Sequence, residues 1–286
     1  MVPSLVMLGM GSSLAEIADT VKMIKEKGLT ASGNFPRLFA FQRKELPPML
    51  RTTVFWVLFL PLTVLVILAG LPASLLSPDY LHNCGRFWGR VALRLAGTRL
   101  QVCGQENLPV GQAVIYMANH QSQFDILALF AGIPGQFRWL AKAELFRIPL
   151  FGLAMRRSGY IPVNRGNRRE AMQSMTAAAR RIASGTSVVV FPEGTRSDDG
   201  RLLPLKKGGF LLAIHSQVPI VPIAIHNTGR LLPKGSRILR RGNIQIEILP
   251  AIPTTGLRSA ASEDLTLQVR EVLEAALARG AERFAF

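Results

Sequence analysis

From Thr52 to Pro78 the chain carries 27 consecutive residues without a charged side chain. A run this long and apolar has no polar face to offer water, so it lies in lipid or under other elements. Thr53–Leu76 is long enough to cross a bilayer. Two details argue against a simple crossing. Pro61 and Pro72 lack the amide hydrogen that a helix interior needs and are expected to interrupt it. Basic residues also flank both ends, with Arg37, Arg43, Lys44 and Arg51 before the run and Arg86, Arg90 and Arg94 after it. The positive-charge bias that orients a span therefore favours neither end. Between Asp79 and Leu95 those last three arginines form one helical stripe, and Leu81, Cys84, Trp88, Val91 and Leu95 form another. Such a helix suits the lipid–water interface, as the returning arm of a two-helix hairpin embedded in the membrane without crossing it. The other reading is a buried core helix with solvated arginines. The hairpin accounts for both basic flanks and is preferred.

The remaining composition narrows the partners. A net charge of +16 and a pI near 11.1 call for something anionic: nucleic acid, lipid headgroups or a phosphorylated substrate. The apolar run argues against nucleic acid. Two cysteines, Cys84 and Cys103, make no disulfide framework. None of His82, His120, His215 and His226 stands at metal-ligand spacing, so no metal is expected. Ser13 and Glu16 make a capping box ahead of a short amphipathic helix ending at Gly28. Met1–Gly11 lacks the positive region of a cleaved signal peptide. The organisation expected is an N-terminal extension over 1–50, a two-helix membrane-anchoring motif over 51–96 and an α/β domain over 97–286.

In that last part, strands are predicted at Arg99–Cys103, Ala113–Ala118, Phe137–Ala141, Tyr160–Val163, Ser187–Phe191, Pro219–His226 and Asn243–Leu249. Helices are predicted at Phe124–Ala131, Pro149–Arg157, Asn167–Ser184, Gly208–Ser216 and Glu263–Arg279. Strands alternating with helices imply an α/β fold, a mostly parallel mixed sheet flanked by helices.

Two segments carry chemistry. Asn119-His120-Gln121-Ser122-Gln123-Phe124-Asp125 follows a strand and opens a helix, where open α/β sheets place ligands. On one continuous helix His120 and Asp125 would lie about 140° apart. With His120 in the turn and Asp125 in the first helical turn, the carboxylate can orient the imidazole as a general base. Asp125 could equally be the acid of a capping box begun by Ser122, and the two roles are compatible. Phe191-Pro192-Glu193-Gly194-Thr195-Arg196-Ser197 also follows a strand. Its Pro–Gly turn exposes backbone N–H groups, and Arg196 can grip a phosphate bidentately. Glu193 could accept a hydroxyl's hydrogen bond or orient Arg196. Lys142 and Arg165 follow other strands. The other basic residues between Arg138 and Arg181 suit a solvated face near anionic lipid. No GxSxG, GxxxxGK[ST] or GxGxxG occurs.

Four ordered blocks, NHQSQFD at 119–125, GYIPVNR at 159–165, FPEGTRS at 191–197 and VPIVP at 218–222, resemble the glycerolipid acyltransferase family, in particular the 1-acyl-sn-glycerol-3-phosphate acyltransferases of bacteria. LAKAEL at 140–145 and KKGGF at 206–210 look familial too. The resemblance spans about 97–250. It implies that His120 is the base acting on the sn-2 hydroxyl, with Asp125 orienting it. It implies that Lys142, Arg165, Glu193, Gly194, Thr195 and Arg196 bind the acceptor's glycerol phosphate, with Val218–Pro222 on the donor side. The expected partners are lysophosphatidic acid, acyl-CoA or acyl-carrier protein as donor, and membrane lipids. No cofactor and no nucleic acid are expected. The expected product is phosphatidic acid, made at the cytoplasmic face of the inner membrane by a monotopic or single-span protein. Related readings are a different acceptor (glycerol 3-phosphate, another lysophospholipid, a lyso-amino-lipid) and a non-enzymatic basic membrane scaffold.

Overall fold

The computed structural model describes residues 47–164 and 168–283, the side chains of 168–172 and 281–283 excepted. The capping-box helix expected before Gly28 and the expected site residue Arg165 lie outside the described residues.

All seven expected strands form, with ends within two residues of their expected bounds. They are β1 (Leu100–Cys103), β2 (Ile115–Ala118), β3 (Arg138–Lys142), β4 (Ile161–Val163), β5 (Val188–Val190), β6 (Ile220–His226) and β7 (Ile244–Ile248). They make one sheet in the order β1-β7-β6-β2-β5-β3-β4. Every neighbouring pair is parallel except β6 with β7. Every residue of β2, β5 and β6 is buried, as a strand covered on both faces requires. The period-two alternation divides the core. Tyr116, Ala118 and Val189 join one cluster; Ile115, Met117, Val188 and Val190 join the other.

The helices cover these two faces. On one side are α1 (Pro48–Ala73), α2 (Pro78–Leu95) and α3 (Phe124–Gly132). On the other are α5 (Arg168–Ala183), α6 (Lys207–Ser216) and α8 (Ser262–Arg283), following the seven-residue α4 (Phe151–Arg157). A four-residue helix, α7 (Thr228–Leu231), was not foreseen from periodicity.

Two expectations about the apolar run need correction. α1 is a single helix of 26 residues, with Pro61 inside it and Pro72 in its final turn. Pro61 removes one amide from a long ladder, while Phe55 before it and Ile67 and Gly70 after it are buried against neighbours that hold the two halves in line. The second correction concerns α2. Its apolar stripe packs on α1 and α3: Leu81 is buried, Trp88 Nε1 donates to Thr63 Oγ1 at 2.9 Å, and the Trp88 ring lies 5.4 Å from Phe59 and 6.0 Å from Phe130. Arg90 and Arg94 are exposed. α2 is thus the core helix with solvated arginines. Most of the outward apolar surface belongs to α1, where Val57, Leu60 and Leu65 are all exposed, and Tyr80 and Phe87 of α2 are exposed too. By length and composition α1 could cross a membrane; its most apolar stretch has a mean hydropathy of 2.7 and is 11% buried.

Candidate active site

Parallel pairing of β2 with β5 sets Met117 opposite Val190. Three residues beyond each partner come His120 and Glu193, so the two key turns leave the sheet side by side. Asn119 closes β2 by acting as a strand extension. Its side chain accepts from Ile225 N–H (2.7 Å) and donates to Ile225 O (3.0 Å) on the longer β6. The next residue, His120, is thereby delivered at the carboxyl edge of the sheet.

Asp125 is fully buried in the first turn of α3. One of its oxygens, Oδ2, collects three donors: His120 Nδ1 at 2.7 Å, Gln121 N–H at 2.7 Å and Ser122 N–H at 2.9 Å. Ser122 Oγ accepts from Phe124 N–H at 3.2 Å and donates to Leu232 O at 2.7 Å. The capping and the orienting roles of Asp125 therefore coexist. The His120 ring stacks on Phe191, centroids 3.9 Å apart and planes 10° from parallel. With Nδ1 held by the carboxylate, Nε2 is the nitrogen left to meet a substrate, and a ring so braced can take a proton from a hydroxyl.

His120 opens onto a cavity of about 620 Å³. Lys142, Gly194, Thr195 and Arg196 line it too, so five of the expected site residues share one chamber. The Arg196 guanidinium has no hydrogen-bond or ion-pair partner among the described residues. Gly194 has φ +75°, a conformation that residues with a Cβ rarely adopt, so the turn needs glycine; the Lys206 side chain passes within 2.9 Å of where a Cβ would sit. Lys142, at the end of β3, is exposed and 3.4 Å from Glu144. Away from this polar mouth the wall is apolar, built from Phe55, Phe59 and Trp88 of α1 and α2 and from Phe130 and Trp139.

Residues 99–226, which hold both turns and the strands behind them, match the acyltransferase family model. That part of the chain is therefore similar to the acyltransferase family. The chain is 34% identical over 191 residues to 1-acyl-sn-glycerol-3-phosphate acyltransferase BAT2, chloroplastic, of Brassica napus, covering 65% of this chain and 55% of that protein. It is 37% identical over 165 residues to the alpha form of the same-named protein of Bos taurus, covering 57% and 58%. The chain thus spans a little over half the length of these relatives. The crystal structure of the 1-acyl-sn-glycerophosphate (LPA) acyltransferase PlsC from Thermotoga maritima matches with a TM-score of 0.69 at 26% identity, over 81% of this chain and 96% of that one.

Glu193 departs from the role expected for it. It does not line the cavity, and among the described residues no hydrogen bond or ion pair joins it to Arg196. It is 2% exposed, and its two oxygens accept backbone N–H groups on either side, His120 at 2.6 Å and Leu203 at 2.8 Å. With both oxygens engaged it is a strut beneath the His120 turn. Ser197 N–H adds a second tie to that turn, donating to His120 O at 2.8 Å. The stacked Phe191, the amide clasp of Asn119 and the aromatic wall were also missed as site features. Phe191 and Asn119 open the two motifs, but their partners His120 and Ile225, like the residues of the aromatic wall, meet them only through tertiary packing.

Burial pushes the Glu193 carboxyl from 4.5 up to about 7, against the two backbone hydrogen bonds that favour its charge. Between those two values the folded chain holds a proton that the unfolded chain has released. This group's contribution to stability is thus full below about pH 4.5 and is lost as pH rises through about 7. Glu193→Gln removes that slope and leaves one backbone N–H facing an amide NH₂, a cost of about 1–3 kcal/mol. The deficit relative to wild type should be largest near pH 5 and shrink by pH 8, as read from thermal melts at both values.

Proposed function

We propose that this acyltransferase moves a fatty acyl group from a thioester donor to the sn-2 hydroxyl of 1-acyl-sn-glycerol 3-phosphate, giving phosphatidic acid. The observation that carries the reading is the pairing of an Asp125-braced imidazole with an Arg196 guanidinium that has no partner among the described residues, at the polar mouth of an apolar chamber. The acceptor's phosphate sits on Arg196, with Lys142 as a second cation, and its acyl tail lies along the aromatic wall. His120 Nε2 takes the hydroxyl proton as the oxygen attacks the thioester carbonyl. The C–S bond then breaks, the ester forms, and the imidazolium returns its proton to the departing thiolate. Acyl-CoA or acyl-carrier protein supplies the thioester, and no further cofactor enters.

The apolar chamber favours a lysolipid over glycerol 3-phosphate, which has no tail to bury. With about 0.8 kcal/mol gained per buried CH₂, the tailed acceptor should lead by at least ~100-fold in kcat/KM. Radiolabelled acyl-CoA and acyl-carrier protein, each offered with lysophosphatidic acid, glycerol 3-phosphate and other lysolipids, checks acceptor and donor together. Equal turnover of glycerol 3-phosphate would defeat the assignment, and absence of turnover on every acceptor would favour a scaffold.

A membrane seat follows from α1. Its outward side is apolar, while Phe55, Ile67 and Gly70 hold its other side against the body along its length. A helix fastened in this way supports embedding in one leaflet, at the cytoplasmic face where the thioester donors are found.

A further inference from the structure

The acylation chemistry leaves one well-built feature without a purpose. The backbone of Arg237–Leu239 is fastened to the outer end of α1 by three side chains. Thr52 Oγ1 accepts from Leu239 N–H at 3.0 Å, Arg51 donates to Leu239 O at 2.5 Å, and Trp56 Nε1 donates to Arg237 O at 2.9 Å. Leu239 is buried, whereas Ile238 beside it is 45% exposed. Arg237 and Arg240 are exposed on either side, and among the described residues neither guanidinium has a partner. The charge is one-sided over a long reach: no Asp or Glu occurs between Asp199 and Glu247. Met49, Leu50 and Val54 of α1 face outward at the same level.

An exposed isoleucine between two unpaired arginines, tied rigidly to the end of an apolar helix, is what an anionic bilayer surface fits. The isoleucine reaches the acyl boundary, the guanidinium groups grip lipid phosphates, and the strap keeps the loop from folding back. We propose that the 237–241 loop is a second membrane-contact element that recognises anionic lipid headgroups and sets the tilt of the body over the leaflet. The proposal rests on the membrane seat inferred for α1. The rival partner, an acidic acyl-carrier protein, would also meet the arginines, but it gives no reason for the exposed Ile238 or for the strap to α1.

The test uses the full chain in a Cys84→Ala/Cys103→Ala background, carrying an environment-sensitive fluorophore on Ile238→Cys, Leu65→Cys or Val110→Cys in turn. Each is placed in nanodiscs of phosphatidylcholine with and without phosphatidylglycerol. The label at 65 should be quenched by nitroxide lipids in both, and that at 110 in neither. The label at 238 should shift to an apolar spectrum in phosphatidylglycerol discs, and Arg237→Gln/Arg240→Gln should weaken that preference about 20-fold. A quenched label at 65 with a water-like label at 238 overturns the loop proposal while leaving the seat intact. An unquenched label at 65 overturns both. A label at 238 that answers acyl-carrier protein and ignores lipid assigns the loop to donor docking instead.

Discussion

His120→Ala is expected to lower kcat for acylation of lysophosphatidic acid by about 10³–10⁴-fold while changing KM only a few-fold, the loss typical of a deleted general base. The reason for the split lies in the geometry. In the proposed mechanism the imidazole takes the proton, whereas the phosphate is left to Arg196 and Lys142. The fold should survive. Asp125 Oδ2 keeps the Gln121 and Ser122 N–H groups when the ring is gone, and the lost stacking on Phe191 concerns a side chain that already fronts a cavity. Initial rates, together with a thermal melt and the fraction recovered in membranes, check this. A variant keeping even a tenth of wild-type turnover would show that some other group handles the proton.

Asp125→Asn should lower kcat nearly as much, on the order of 10³–10⁴-fold, because a neutral amide cannot stabilise the positive charge that forms on the ring. The substitution is close to isosteric, and its cost can be placed atom by atom. The amide oxygen can take the position of Oδ2 and its three donors. The NH₂ then falls at the site of Oδ1, which is buried and has no hydrogen-bond partner among the described residues. An unsatisfied buried donor costs about 1–3 kcal/mol, so the variant should also melt earlier. In the His120→Ala/Asp125→Asn double variant the kinetic losses should not add, since each single change disables the same unit. Independent, additive losses would mean that the two side chains work separately.

Legibility in the sequence followed the distance between partners. The seven strands were readable because runs such as Val114–Ala118 and Val188–Val190 carry their signal locally. Their ends were off by a residue or two because a strand stops where its neighbour in the sheet stops. His120 and Asp125 were readable as a pair because a turn of five residues contains the whole interaction. The turn at Gly194 and the place of Arg196 beside it were readable from turn chemistry, which is local too. Glu193 was misassigned because its partners are His120, 73 positions upstream, and Leu203 beyond the turn. The arginine stripe of α2 was found correctly, yet spacing says which residues share a face and not what covers that face. At Pro61 the local rule for proline was outvoted by packing on both sides of it.

The aromatic residues of α1 have a practical bearing on how this protein can be handled. Phe55 and Phe59 furnish one side of the cavity in front of His120, and their helix also bears the greasiest part of the molecular exterior. Trimming the chain near residue 97 to obtain a well-behaved fragment for crystallography or inhibitor screening would strip off that side and lay the chamber open to water. Detergent or nanodisc handling of the longer chain is thus a requirement of the binding site itself.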